Sequence, residues 1–129
     1  MKLDEETKEK LRTMTVEVVL DTRFAYMRTK GFKPLTHWDQ LSDRMRAAER
    51  TASSVEEWST SMMRWLQVSS PTKDGSASVR DLAAFVRERG CSRAWLTLVR
   101  DEWAYLIALA RGVSEQRAEF KKAKEAQHG

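Results

Sequence analysis

The sequence predicts an all-α, single-domain bundle of five to six helices, and three observations carry that expectation. Apolar residues recur at helical spacing along the chain, start and stop signals bracket each periodic segment, and nowhere is a strand needed. At 129 residues, with 41% hydrophobic content that includes five Trp and four Phe, the chain has the length of one domain and the apolar volume for one core. The expected domain therefore spans residues 1–129.

The first helix is expected over about residues 4–30, where Leu11, Met14 and Val18, then Leu20, Phe24 and Met27, keep helical spacing through the β-branched cluster Val16-Glu-Val-Val-Leu20. Asp4-Glu-Glu6 complements the positive end of that helix, and Gly31 reads as its stop. Thr36-His-Trp-Asp39 opens a second helix near 37–52, with His37 decorating its start. Ser54-Val-Glu-Glu57 is a capping box for a third near 55–68. Trp58, Met62 and Trp65 follow core spacing along it, whereas Trp38 is less regular, which leaves it free to lie at the surface.

Ser69-Ser-Pro-Thr-Lys-Asp-Gly-Ser76 is the clear loop, and residues 69–77 are expected as a surface connection between the first three helices and the last three. Ser78-Val-Arg-Asp81 then starts a fourth helix near 79–89, ended by Gly90. The fifth is expected as one segment over 93–111, ended by Gly112, before a short basic tail helix from about 115. Its apolar arc is broad: Trp95, Leu96, Val99, Trp103, Leu106, Ile107 and Ala110, extended by Leu98, Tyr105 and Leu109. Such an arc marks either the central helix of the bundle or one that packs on the core and on another protein. Glu102 lies inside it and is expected to pair with an Arg or to reach the edge, because an unpaired buried carboxylate is costly.

Charge narrows the function. Net charge is +4, and 14 of the 23 basic residues are Arg, the side chain that grips phosphate with a forked pair of donors. On a wheel of 100° steps, Arg93, Arg100 and Arg111 fall within roughly 20° of one another. Lys8, Arg12, Arg23 and Lys30 form a second basic ridge on the first helix, and Arg80 and Arg87 a shorter third. These nine residues are the candidate nucleic-acid-binding set. They suit contact with a phosphate backbone and little reading of base sequence.

Chemistry that is absent points the same way. His37 and His128 are the two histidines, so no His pair exists for zinc or an acid–base relay, and no phosphate-cradling Gly loop or nucleophile elbow occurs. The expectation is no enzyme, no metal and no cofactor. A single cysteine, Cys91, reads as a small packed hydrophobe suited to a reducing compartment. A charged start and the lack of a long uncharged run predict neither a signal peptide nor a membrane span, and hence a cytoplasmic protein.

In size, helical character, Arg content and the tryptophan-bearing segment Arg93-Ala-Trp-Leu-Thr-Leu-Val-Arg-Asp-Glu-Trp103, the chain resembles the small subunits of multisubunit CRISPR effector complexes, including those of type IV systems. What that resemblance implies is a non-catalytic subunit of an antiviral RNA-guided ribonucleoprotein. It would associate with copies of itself and with other effector subunits, and offer a basic surface to the guide RNA, the target strand or both.

Two other readings compete. A helix-turn-helix DNA-binding unit would use Val79–Arg89, the turn Gly90-Cys-Ser92, and Arg93 onward as recognition helix. Against it, Ala83 to Gly90 is seven residues where about four are usual, and Trp95 and Leu96 stand where bases would be met. A helical adaptor or phage-type inhibitor would instead hold a host protein through its apolar surface and Arg anchors.

Overall fold

A computed structural model describes residues 3–30, 37–65 and 76–128, leaving the side chains of 24–30, 37, 39–41, 44, 59, 62–65, 76 and 128 outside that description. Six helices make up the described chain: α1 (Glu5–Lys30), α2 (His37–Thr51), α3 (Val55–Trp65), α4 (Ser76–Arg89), α5 (Ser92–Asp101) and α6 (Trp103–His128). Among the described residues there is no strand, and the architecture is the all-α bundle that the periodicity predicts.

The local signals act through identifiable bonds. Asp4 Oδ1 accepts the Thr7 N–H at 2.7 Å, which caps α1, and Glu5 and Glu6 occupy its first turn. At α3 the Glu57 N–H donates to Ser54 Oγ at 3.2 Å. The Glu57 carboxylate in turn accepts from both the N–H and the hydroxyl of Ser53, so the reciprocal half of the capping box falls one residue earlier than the pattern suggests. Gly90 adopts φ 60° and ends α4, as its position predicts. Gly31, the Thr36 cap and most of the 69–77 connection lie outside the described residues, as do the side chains of Met62 and Trp65.

Three expectations are corrected. Helix α4 begins at Ser76, so Ser78 lies within the helix and residues 76 and 77 belong to α4 rather than to the connection. The single helix expected over 93–111 is two: the chain bends at Glu102, whose φ of −110° and ψ of 16° leave the helical region. The hydrogen-bond ladder nevertheless bridges the bend, from Glu102 N–H to Leu98 O and from Leu106 N–H to Glu102 O. Finally, Gly112 does not stop the helix. Helix α6 runs through it to His128, because Leu106 and Ala110 anchor the preceding turns in the core and the following Glu, Gln, Arg, Ala and Lys residues are good helix formers.

The hub of the bundle is α1, not the helix carrying Trp95. Helix α1 packs on α2, α4 and α6, and Val16, Val18, Val19 and Leu20 are all buried. That run of four apolar side chains in five positions is the sequence trace of a helix covered on several sides. Two hydroxyls inside it, Thr15 and Thr22, are satisfied by donating to the carbonyls of Leu11 and Val18 one turn back.

Aromatic residues tie the other helices to this hub. Trp58 and Trp95 meet edge to face with centroids 5.6 Å apart. Three buried indole donors find acceptors: Trp58 on Met45 O, Trp95 on Thr15 Oγ1 and Trp103 on Ser42 Oγ. Cys91 is buried, and that burial pushes its thiol pKa up, in keeping with a packed hydrophobe. Beyond the bundle, every residue from Glu115 to Gln127 is exposed, so the second half of α6 stands clear of the core. No described helix is long and apolar enough to cross a membrane.

Candidate nucleic-acid interface

The nine basic residues singled out by the sequence do not form three parallel ridges. Their surroundings divide them instead.

Arg12 turns inward. Its Nε and Nη2 donate to the two carboxylate oxygens of Glu102 at 2.6 and 2.9 Å, a forked pair that is mostly shielded from solvent. These bonds lower the pKa of Glu102 and raise that of Arg12. The pair sits on the bend between α5 and α6 and ties it to α1, which is the Arg partner that Glu102 needs. Arg100 is similarly engaged, with Nε 3.5 Å from the carboxylate of Glu49, a residue only 8% exposed. Arg46 donates to the Arg100 carbonyl at 3.1 Å and draws α2 onto the same edge.

Lys8 and Arg87 make surface pairs with Glu5 and Glu56 at 3.8 and 3.6 Å. Such pairs contribute little and break easily. Arg80 is exposed on α4 and has contacts of its own. Arg93 is exposed and makes no ion pair with a described residue, although the bend at Glu102 interrupts the helical register that aligned it with Arg111. The side chain of Lys30 lies outside the described residues.

Arg23 and Arg111 are the two that the fold brings together. They come from different predicted ridges, on α1 and α6, and meet over Trp38 of α2, with guanidinium carbons 4.3 and 5.9 Å from the centroid of that one indole. Their separation therefore cannot exceed the sum of those two distances. Arg23 Nη1 also donates to Ser114 Oγ at 3.2 Å. Burial first, and then the positive charge of Arg111, push the Arg23 pKa down, the direction opposite to that of Arg12. Arg111 makes no ion pair with a described residue and is exposed.

Trp38 is itself a correction. It is 6% exposed, not a surface indole, and serves as the floor beneath two cations. Sequence reasoning missed it because its partners lie about fifteen and seventy residues away. One signal was available for Arg23: it stands three and seven residues after the buried Leu20 and Val16, on the covered side of α1.

Two other regions fit an anionic strand less well. An open groove of about 710 Å³ between the start of α1 and α5 has Lys8 and Arg93 on its walls, but also Glu5, Asp101 and Glu102, so carboxylates outnumber cations there. On α5, the recognition helix of the helix-turn-helix alternative, Trp95 is wholly buried against Trp58 and Thr15, while Arg93, Thr97 and Arg100 are exposed together with Asp101. Among the described residues no group of three His, Cys, Asp or Glu side chains is arranged to hold a metal ion. Comparison of the chain with protein-family models, with curated proteins and with solved structures finds no match.

Proposed function

We propose that this protein is a non-catalytic subunit that binds a nucleic-acid strand by its phosphates, with Arg23 and Arg111 over Trp38 as the principal contact. One observation carries the reading: two guanidiniums from different helices lie over the same indole, and the charge of one opposes that of the other. Neighbouring like charges are stabilised by an added anion, and phosphate matches the forked donors of arginine, of which the exposed Arg111 pairs with no described carboxylate. Arg93, Arg80, Arg87 and Lys8 are solvent-facing cations that would add weaker, sequence-independent attraction along the surface. Following the resemblance in kind, the strand is the guide RNA or target of a multisubunit CRISPR effector, and the surrounding proteins are copies of this chain and the other effector subunits.

The test is anisotropy of a fluorescent single-stranded RNA of mixed sequence, titrated with protein over a range of salt. The reading expects affinity that falls steeply as salt rises and changes little between unrelated sequences. Absence of binding at low salt would defeat it. Purification from the native host with and without nuclease addresses the assembly, where a short RNA of uniform length travelling with large subunits is the expected result.

A second reading has an observation of its own. Tyr105 and Phe120 are 55% and 70% exposed on α6, with Leu109 exposed between them. Large apolar side chains on one exposed helix suit an adaptor that grips a protein, and a nuclease-resistant protein complex lacking nucleic acid would favour it.

A further inference from the structure

We propose that an exposed stripe along α6 pairs with the same stripe of a second copy of this chain, the two helices running parallel. The inference goes beyond the strand-binding reading, which leaves open where copies of the chain meet, and it does not depend on strand binding.

The stripe is a repeat within α6. Tyr105, Leu109 and Gly112 return eleven residues later as Gln116, Phe120 and Ala123, and Gln127 opens a third round. Eleven residues make close to three turns, so these positions keep to one face, within roughly 80° of the helix circumference, and the stripe runs straight. Tyr105, Leu109 and Phe120 are the large apolar side chains the bundle leaves exposed, and from Glu115 onward the helix is exposed on every side. Isolated helices of about 12–15 residues are marginal in water, so this half of α6 is stabilised by a helix laid along it.

The flanks of the stripe specify that helix. Glu115 and Glu119 stand on one side of it, and Arg117, Lys121 and Lys124 on the other. Glu115, Glu119, Lys121 and Lys124 make no ion pair with a described residue, and Arg117 lies 3.6 Å from Glu17 of α1 with both side chains open to solvent. One acidic and one basic flank make the helix complementary to itself. Where two such helices run parallel about a two-fold axis, the acidic flank of each lies along the basic flank of the other; run antiparallel, like flank meets like. The polar members of the stripe agree, because in the parallel pair Gln116 and Gln127 each meet their own copy, and an amide both donates to and accepts from an amide. Leu106 and Ala110, which anchor α6 in its bundle, lie on the basic side of the stripe, so the two-fold sets the two bundles on opposite sides of the helix pair.

The experiment is sedimentation velocity on the nuclease-treated full chain without RNA. A monomer–dimer equilibrium is expected with a Kd on the order of 10–100 µM, as suits a small and partly polar interface. Phe120→Ser should weaken it by about ten-fold or more. Lys121→Glu with Lys124→Glu takes the net charge from +4 to 0, since each change removes two units, and lower net charge by itself eases association. The parallel pair nevertheless expects about ten-fold weaker dimerisation of that variant, restored on mixing with Glu115→Lys/Glu119→Lys protein. Direction is read by disulfide formation in Gln116→Cys and Gln127→Cys, each made singly. Both should cross-link to their own copies, whereas the two positions lie about 16 Å apart along the axis and any one antiparallel register brings at most one of them together.

A monomer throughout the range up to about 200 µM overturns the proposal, leaves the stripe to a different protein, and leaves the strand-binding reading in place. A chain that pairs but binds no RNA removes the strand-binding reading and keeps this one. Dimerisation that Phe120→Ser does not weaken places the interface elsewhere and overturns the assignment to α6. Cross-linking at one position alone, or a Lys121→Glu/Lys124→Glu dimer as tight as wild type, overturns the parallel arrangement.

Discussion

Arg12 and Arg23 lie eleven residues apart on α1, on what the sequence presents as one basic ridge, and the fold gives them opposite surroundings. Arg12 faces a carboxylate that holds it with two short bonds. Arg23 shares the indole of Trp38 with a second arginine. The pKa shifts follow, upward for Arg12 through its bonds to Glu102, and downward for Arg23 through burial and the charge of Arg111. A cation that meets its counter-charge inside the fold belongs to the fold. The exposed Arg111, which pairs with no described carboxylate, is left to meet a ligand.

The comparison can be broken most directly at Glu102. Glu102→Ala leaves the partly enclosed Arg12 guanidinium with only the longer 3.6 Å contact to the exposed Glu9 carboxylate, and should destabilise the protein by about 2 kcal/mol in denaturant unfolding. The same change should leave strand affinity within about two-fold, since nothing in the Trp38 cluster touches it. Loss of binding in proportion to stability would mean that the bend positions the cluster after all.

Acid should find the same difference. The pKa of Glu102 lies below its ordinary value of 4.5, chiefly because it accepts hydrogen bonds from Arg12. A carboxylate with a depressed folded-state pKa contributes stability that is complete above its unfolded value and is lost as pH falls through the folded one. Asp4 and Glu57, lowered by their capping bonds, add loss of the same sign. Stability is therefore expected to drop below about pH 4.5, with a shallower drop in Glu102→Ala. Arginine guanidiniums as a class stay protonated throughout that window, so the drop belongs to carboxylates.

The smallest effect sharpens the description of α6. Gly112 lies within the helix, and a methyl group there would meet nothing within 4 Å. Gly112→Ala should stabilise the protein by up to about 1 kcal/mol in thermal or denaturant unfolding. Destabilisation would instead indicate that the backbone at 112 departs from the helix. The contrasting change, Gly90→Ala, strains a residue at φ 60° and should destabilise.

How much of this was legible in the sequence varies by scale. Asp4, Ser54 with Glu57, and Gly90 announce helix ends because capping acts between residues at most four apart, and the fold class follows from a period that every helix shares. The bend at Glu102 was hidden, because the hydrogen-bond ladder continues through it and the tie to Arg12 reaches across ninety residues of sequence. Gly112 misled because a glycine near the end of an apolar arc looks like a stop, whether or not the backbone turns left-handed there. The basic ridges were the least reliable signal. A helical wheel places Arg12, Arg23, Arg100 and Arg111 on faces, but which of them meets Glu102, Glu49 or a second arginine depends on neighbouring helices the wheel does not contain.

The measurement that tests the account most directly is a paired one on Arg12→Gln and Arg111→Gln, recording for each the melting temperature and the salt dependence of RNA binding. The account predicts a lower melting temperature with unchanged binding for Arg12→Gln. For Arg111→Gln it predicts a melting temperature that is unchanged or higher, weaker binding, and a salt slope reduced by about one. If Arg111→Gln lowers stability while affinity and slope stay at their wild-type values, the cluster over Trp38 is part of the scaffold and the assignment of function to it is wrong.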